Sequence, residues 1–125
     1  MEVLADKVPS VKASEHQLFQ VFLNIVVNSM EAMDGKPDGL LKIKTSYRGG
    51  SMVTVSFEDN GCGLVDMNRL FEPFYTTRKT GLGLGLFNCR QIIEMHGGTI
   101  HAESRDEKGA VFIIRLPVEV ELTKA

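Results

Sequence analysis

The sequence predicts an α+β fold, a two-layer α/β sandwich with a mixed sheet and its helices on one face. Three observations carry this. A long segment with helical apolar spacing opens at a capping signal. Two pairs of alternating apolar and polar segments are each joined by a Gly-containing turn, and a second helical segment lies between the pairs. Strands and helices therefore do not alternate strictly, as parallel βαβ units require.

Ser14 followed three residues later by Gln17 forms a capping box, in which each side chain can satisfy a backbone N–H at a helix start. The helix runs through Leu18, Phe19, Val21, Phe22, Leu23, Ile25, Val26, Val27 and Met30 to the Asp34-Gly35 stop signal, and most of its circumference is apolar. Leu41, Ile43 and Tyr47 then alternate with Lys42, Lys44 and Ser46, and Val53, Val55 and Phe57 repeat the pattern. Arg48-Gly49-Gly50-Ser51 supplies the turn of this antiparallel hairpin. From Asn60 to Gly85 the chain is Gly-rich and irregular, with one short helix expected around Asp66 to Phe71. A second helix is expected over Leu86 to His96, with Ile92, Ile93 and Met95 inward and Gly97 as its left-handed stop. Thr99 to Ser104 and Ala110 to Leu116, joined at Arg105 to Gly109, form a closing hairpin.

The chain has 125 residues, the size of one domain spanning 1–125. Hydrophobic residues at 43% and charged residues at 24% are ordinary for a folded domain. A net charge of −2 lacks the basic excess of a phosphate-backbone binder, so nucleic acid is not an expected partner. Cys62 and Cys89 lie far apart, without metal-ligand spacing, which fits a reducing, cytoplasmic setting. Asn24 and Asn28 interrupt the apolar stretch from Leu18 to Met33, so no bilayer span and no direct membrane contact are expected. Any membrane attachment belongs to another part of a longer protein. The isolated domain is expected to be monomeric.

Four segments carry chemistry. On the first helix Gln17, Gln20, Asn24, Asn28 and Glu31, spaced three or four apart, make one polar stripe. A solvent face is usually rich in Lys and Glu, whereas this one is rich in amides, whose carbonyl oxygens suit a hard cation such as Mg²⁺ that is also held by substrate phosphate. Asp59 ends a strand before Asn60, Gly61, Cys62 and Gly63. The segment reads as an Asx turn, or as a fixed carboxylate acceptor for the exocyclic amine of adenine with glycines close to the ring. Gly81, Gly83 and Gly85 alternate with Leu82, Leu84 and Leu86 just before the second helix, where backbone N–H groups and the helix N-terminus can close around phosphate. The segment is neither a P-loop nor a dinucleotide fingerprint. Between the glycine segments, Phe71, Pro73, Phe74 and Tyr75 precede Thr76, Thr77, Arg78 and Lys79, the composition of a lid whose cations neutralise phosphate or, read singly, of a solvated basic turn.

In order, these segments resemble the N, G1, F and G2 boxes of the sensor histidine kinase ATP-binding domain, in the superfamily shared with DNA gyrase, Hsp90 and MutL. The likeness covers nearly the whole chain. It implies a Bergerat-type fold with ATP and Mg²⁺ as cofactors. Asn28 would coordinate the metal, Asn24 would lie beside the reacting phosphate, and Asp59 would bond the adenine amine. Gly61 and Gly63 would line the base, with Phe71, Thr77, Arg78 and Lys79 in the lid and Gly81 to Leu86 under the phosphates. The implied function is transfer of the γ-phosphoryl group to a histidine on a separate helical hairpin, with a response regulator as indirect partner in two-component signal transduction. Glu31 stands where many relatives carry a base, Phe87 where a small hydroxyl residue is frequent, and Ala110-Val111 where Ser or Thr is usual near adenine. Neither His16, His96 nor His101 heads an acceptor-like helix. His96 is expected to complement the helix dipole, and the other two to be structural. Two alternatives are a nucleotide-binding regulator of the anti-sigma-factor type and a gyrase, Hsp90 or MutL type of ATPase. The latter is disfavoured because Asn24 stands where those enzymes place a helix carboxylate.

Overall fold

The computed structural model describes residues 2–5, 8–61, 71–72, 85–104 and 109–118. In chain order the elements are β1 (Glu2–Ala5), α1 (Glu15–Ala32), β2 (Leu41–Ser46), β3 (Met52–Asp59), α2 (Gly85–Met95), β4 (Thr99–Ser104) and β5 (Ala110–Pro117). They build a five-stranded sheet in the order β1-β2-β3-β5-β4. Only β1 runs parallel to its neighbour, pairing Glu2 with Lys42 through Ala5 with Thr45, and the remaining pairs are antiparallel. The sheet is therefore mixed, as expected, although the four-residue β1 lies outside the expected strands.

Alternation fixes which face is covered. Along β3, Val53, Val55, Phe57 and Asp59 are buried while Met52, Thr54, Ser56 and Glu58 are half-exposed. On β5, Ala110, Phe112, Ile114 and Leu116 are the buried set. Both helices lie over this apolar face, α1 contributing Val21 and Ile25 and α2 contributing Cys89 and Ile93 to one continuous core. Each fully buried aliphatic or aromatic side chain contributes about 1.5–3 kcal/mol relative to exposure. The Phe22 ring meets Phe57 at a centroid distance of 5.5 Å, which seats the middle of α1 on β3.

Ser14 caps α1 through its hydroxyl, which accepts from the Gln17 N–H at 3.3 Å. The end of α2 is tied to that start. His96 Nε2 accepts from the Ser14 N–H at 3.1 Å, and Nδ1 donates to the Ile92 carbonyl at 2.7 Å. Through its two ring nitrogens His96 thus bridges the end of α2 to the start of α1. Gly97, at φ 76°, stops α2 in the left-handed conformation. Its N–H bonds the Glu94 carbonyl and the Gly98 N–H bonds that of Ile93, both at 3.0 Å, forming a complete Schellman cap.

Met95 departs from the expectation. It is 77% exposed, because two residues after the buried Ile93 the helix has turned by about 200°. The second helix itself agrees with expectation to within a residue, as do the four strands of the two hairpins. The short helix expected around Asp66 to Phe71 lies, apart from Phe71, outside the described residues.

Candidate functional site

Asp59 is the last residue of β3, where the sheet gives way to the Gly-rich segment, and it is 1% exposed on the helix-covered face. It sits mid-sheet, opposite Leu41 on β2 and Ala110 on β5. The Gly61 N–H donates to Asp59 Oδ1 at 2.9 Å, closing an Asx turn. That bond fixes the carboxylate rotamer and uses only part of its accepting capacity. Asn60 faces the other way and pins the approach to β2, accepting from the Leu40 N–H at 2.8 Å and donating to the Asp38 carbonyl at 2.9 Å. Substitution at Asn60 thus reaches Asp59 through the loop before β2.

Gly61 is pressed against the last turn of α1. A Cβ added there would lie 2.6 Å from the Ala32 carbonyl oxygen and 2.9 Å from the Ala32 Cβ, both parts of a packed helix with little room to retreat. Gly61→Ala is expected to destabilise the domain by roughly 1–3 kcal/mol, the cost of overpacking, and to lower the thermal midpoint measured by calorimetry.

On α1, Asn24 and Asn28 are half-buried, and the Asn28 amide nitrogen is shielded from solvent. The Asn24 side-chain oxygen lies 3.8 Å from where a Cβ on Gly85 would stand. Gly85 opens α2, so Asn24 of the amide stripe lies beside the first residue of that helix. Asn24 also bonds Cys89 through its side chain, and the buried thiol donates to the Val21 carbonyl at 3.7 Å. Burial pushes the Cys89 thiol up from its ordinary 9.0 to about 11, with the Asn24 bond pulling the other way. The folded state therefore holds its proton more tightly than the unfolded chain does. Its contribution to stability is intact below pH 9 and is lost as pH rises from 9 toward 11, by about 2–3 kcal/mol. Denaturant melts across that window are expected to show a shallower decline in Cys89→Ala than in the parent.

Phe71 packs edge-on against Phe112 of β5 at 6.5 Å, joining the start of the aromatic segment to the core. Leu86 is half-buried against the same core. Asn24, Asn28, Asp59, Gly61, Phe71, Gly85 and Leu86 thus all lie on or beside the helix-covered side of the sheet. The candidates Gly63, Thr77, Arg78, Lys79, Gly81, Leu82, Gly83 and Leu84 lie outside the described residues. A shallow depression lined by Val27, Met30, Glu31 and Asp34 flanks the amide stripe. Beside it, Phe19, Leu23, Val27 and Met30 form an exposed apolar row.

Two polar residues escaped sequence reasoning. Ser29 is 1% exposed on the core face of α1, and its hydroxyl has no hydrogen-bond partner among the described residues. The signal was its phase, since it follows Val21 and Ile25 at intervals of four. Cys89 had no such signal, because an apolar helix position suits a thiol packed as a small hydrophobe. Among the described residues no group of His, Cys, Asp and Glu could hold a metal ion, and no helix is long and apolar enough to cross a membrane.

Residues 13–120 match the family described as histidine kinase-, DNA gyrase B-, and HSP90-like ATPase. Sporulation kinase E of Bacillus subtilis (strain 168) is 43% identical over 120 residues, a match covering 92% of this chain and 16% of that protein. The chain thus spans well under half the length of such relatives, 32% in the case of the sensory histidine kinase/phosphatase NtrB of Rhizobium leguminosarum bv. phaseoli. The catalytic domain of the histidine kinase ThkA, solved in a nucleotide-free form, superposes with a TM-score of 0.79 at 36% identity, covering 92% of this chain and 76% of that one. Full-length ShkA in complex with AMPPNP gives 0.76 at 26% identity, over 93% of this chain and 25% of its own. The chain belongs to the histidine kinase-, DNA gyrase B- and HSP90-like ATPase family, as an ATP-binding catalytic domain of the sensor histidine kinase kind.

Proposed function

We propose that the domain binds Mg-ATP and presents its γ-phosphoryl group to a histidine on a separate helical hairpin of the same or a partner kinase chain, with a response regulator acting downstream. The observation that carries this is the buried Asp59 carboxylate, oriented by Gly61 and keeping accepting capacity toward a base amine. Adenine offers a donor there, whereas guanine offers a carbonyl that would face the carboxylate oxygen to oxygen, so selection for ATP follows. The half-buried Asn24 and Asn28 lie on the side of α1 that meets the α2 N-terminus, whose partial positive charge favours phosphate. AMPPNP, bound in ShkA, is an ATP analogue and agrees with this assignment.

The donor set fits a magnesium ion held mainly by substrate. Asn28 offers one amide oxygen, and Mg²⁺ commonly takes one or two protein ligands beside phosphate oxygens and waters. When bound, the ion supplies charge neutralisation at the transferred phosphoryl group. The chain's own work is positioning. Asp59 and Gly61 fix the base, Asn24 holds an amide beside the phosphates, and Arg78 and Lys79 add positive charge from the lid. Phosphoryl transfer gains most from such orientation and electrostatic complementarity.

Calorimetric titration with ATP, ADP and GTP, with and without Mg²⁺, tests the binding half. Mg²⁺-dependent binding of ATP with GTP excluded is expected, and equal affinity for GTP would overturn the base assignment. Addition of a matching acceptor helix pair tests the transfer half. Acid-labile phosphohistidine is expected, whereas binding without transfer would favour a nucleotide-controlled regulator.

A further inference from the structure

The Cys89 thiol, fully buried in the first half of α2, joins that helix to the amide stripe of α1. Its sulfur meets two groups of α1 that lie three residues apart, the Val21 carbonyl at 3.7 Å and the Asn24 side chain. A thiol carries one proton, and here it goes to the Val21 carbonyl. The bond to Asn24 therefore runs the other way, with the amide NH₂ donating to sulfur. The electrostatics agree, because this bond favours the charged form of the sulfur, as a donor does and an acceptor does not. With the nitrogen committed to sulfur, the oxygen of the same planar group lies on its other side. Asn24 Oδ1 accordingly stands toward the start of α2, 3.8 Å from where a Cβ on Gly85 would be.

Which end of the amide faces the α2 N-terminus decides what Asn24 can do there. An amide nitrogen would donate to phosphate oxygens. An amide oxygen repels them, and accepts instead from the waters that a phosphate-bound Mg²⁺ retains. We propose that Cys89 is a positioning residue, whose sulfur holds the Asn24 NH₂ so that the amide oxygen, and not the nitrogen, is presented to the metal-phosphate end of the site. This rests on the reading of Asn24 as a neighbour of the phosphates, and adds to it the residue that sets its orientation. Packing alone asks only for a small apolar side chain at this point of α2. Alanine would meet that demand without being able to accept from Asn24. Serine could donate to the Val21 carbonyl and accept from Asn24, as the thiol does.

The test titrates ATP into the parent chain, Cys89→Ala, Cys89→Ser and Asn24→Ala, in Mg²⁺ and in chelator, beside nitrogen–proton correlation spectra of the side-chain amides without nucleotide. Cys89→Ala is expected to weaken ATP binding in Mg²⁺ about three- to tenfold, the scale of one orienting hydrogen bond. The residual binding in chelator should not change, and the Asn24 amide resonances should move. Cys89→Ser is expected to return both the affinity in Mg²⁺ and the bonded state of the Asn24 amide. A purely structural thiol would instead make Ser and Ala variants lose affinity alike, with or without the metal. That result, parent-like affinity in Cys89→Ala, or unmoved Asn24 resonances would overturn the role of Cys89. If Asn24→Ala still loses Mg²⁺-dependent affinity in that event, the reading of Asn24 stands without it. If Asn24→Ala binds ATP as the parent does, Asn24 is not beside the phosphates and both readings fall.

Discussion

Asp59→Asn is expected to weaken ATP binding by about two orders of magnitude or more, with the fold intact. The Gly61 N–H requires an oxygen at the Oδ1 position, so the new amide would keep its carbonyl there and turn its NH₂ toward the base. Donor would then face donor. The loss combines a charge-assisted hydrogen bond, worth about 1.5–3 kcal/mol, with the cost of an unpaired polar group, about 1–3 kcal/mol. The change is nearly isosteric and the backbone bond survives, so melting of the nucleotide-free domain should move little. Isothermal titration beside a thermal melt separates the two effects. Retained affinity would remove Asp59 from the base pocket.

Phe57→Ala is the substitution expected to harm stability most. Phe57 is 1% exposed in the middle of β3, lies between Ile43 on β2 and Phe112 on β5, and is covered by the Phe22 ring. Truncation removes the ring's transfer free energy and leaves a cavity that strands held on both sides cannot collapse, about 3–5 kcal/mol in all. Against a typical domain stability of about 5–15 kcal/mol, that is a large share. The thermal midpoint should fall by more than about 10 °C. A fall of only a degree or two would mean that the helix layer relaxes onto the sheet far more readily than its packing suggests.

Much of this architecture was legible because local chemistry and global position agree. Ser14, the alternation from Val53 to Phe57 and Gly97 each carry a signal with a direct structural cause, and each element formed where that signal put it. Strand β1 was not legible: four residues are too few for alternation to register, and its partner Lys42 to Thr45 lies far along the chain. Met95 misled because apolar character was read without helical phase. The row Phe19, Leu23, Val27 and Met30 shows the same limit, being as apolar as the core yet exposed. Asn24 stood out in the sequence as a poor helix former within an amide-rich stripe, and Asp59 as an acid ending a strand before glycines. Ser29 was missed because its phase with Val21 and Ile25 was not read, and the His96 bridge could not be read because its partner Ser14 joins it only in three dimensions.

The glycines at either end of segment 62–84 both rest on α1, Gly61 against Ala32 and Gly85 against Asn24. One rigid rod thus sets the gap between the segment's two ends at about 12 Å along its axis. Whatever length of chain is strung between those anchors, the frame does not have to change. Closure entropy rises only logarithmically, so doubling the insertion would cost roughly 0.6 kcal/mol. The connection between those two anchors can accordingly be lengthened or shortened with little thermodynamic resistance from the helix that carries them.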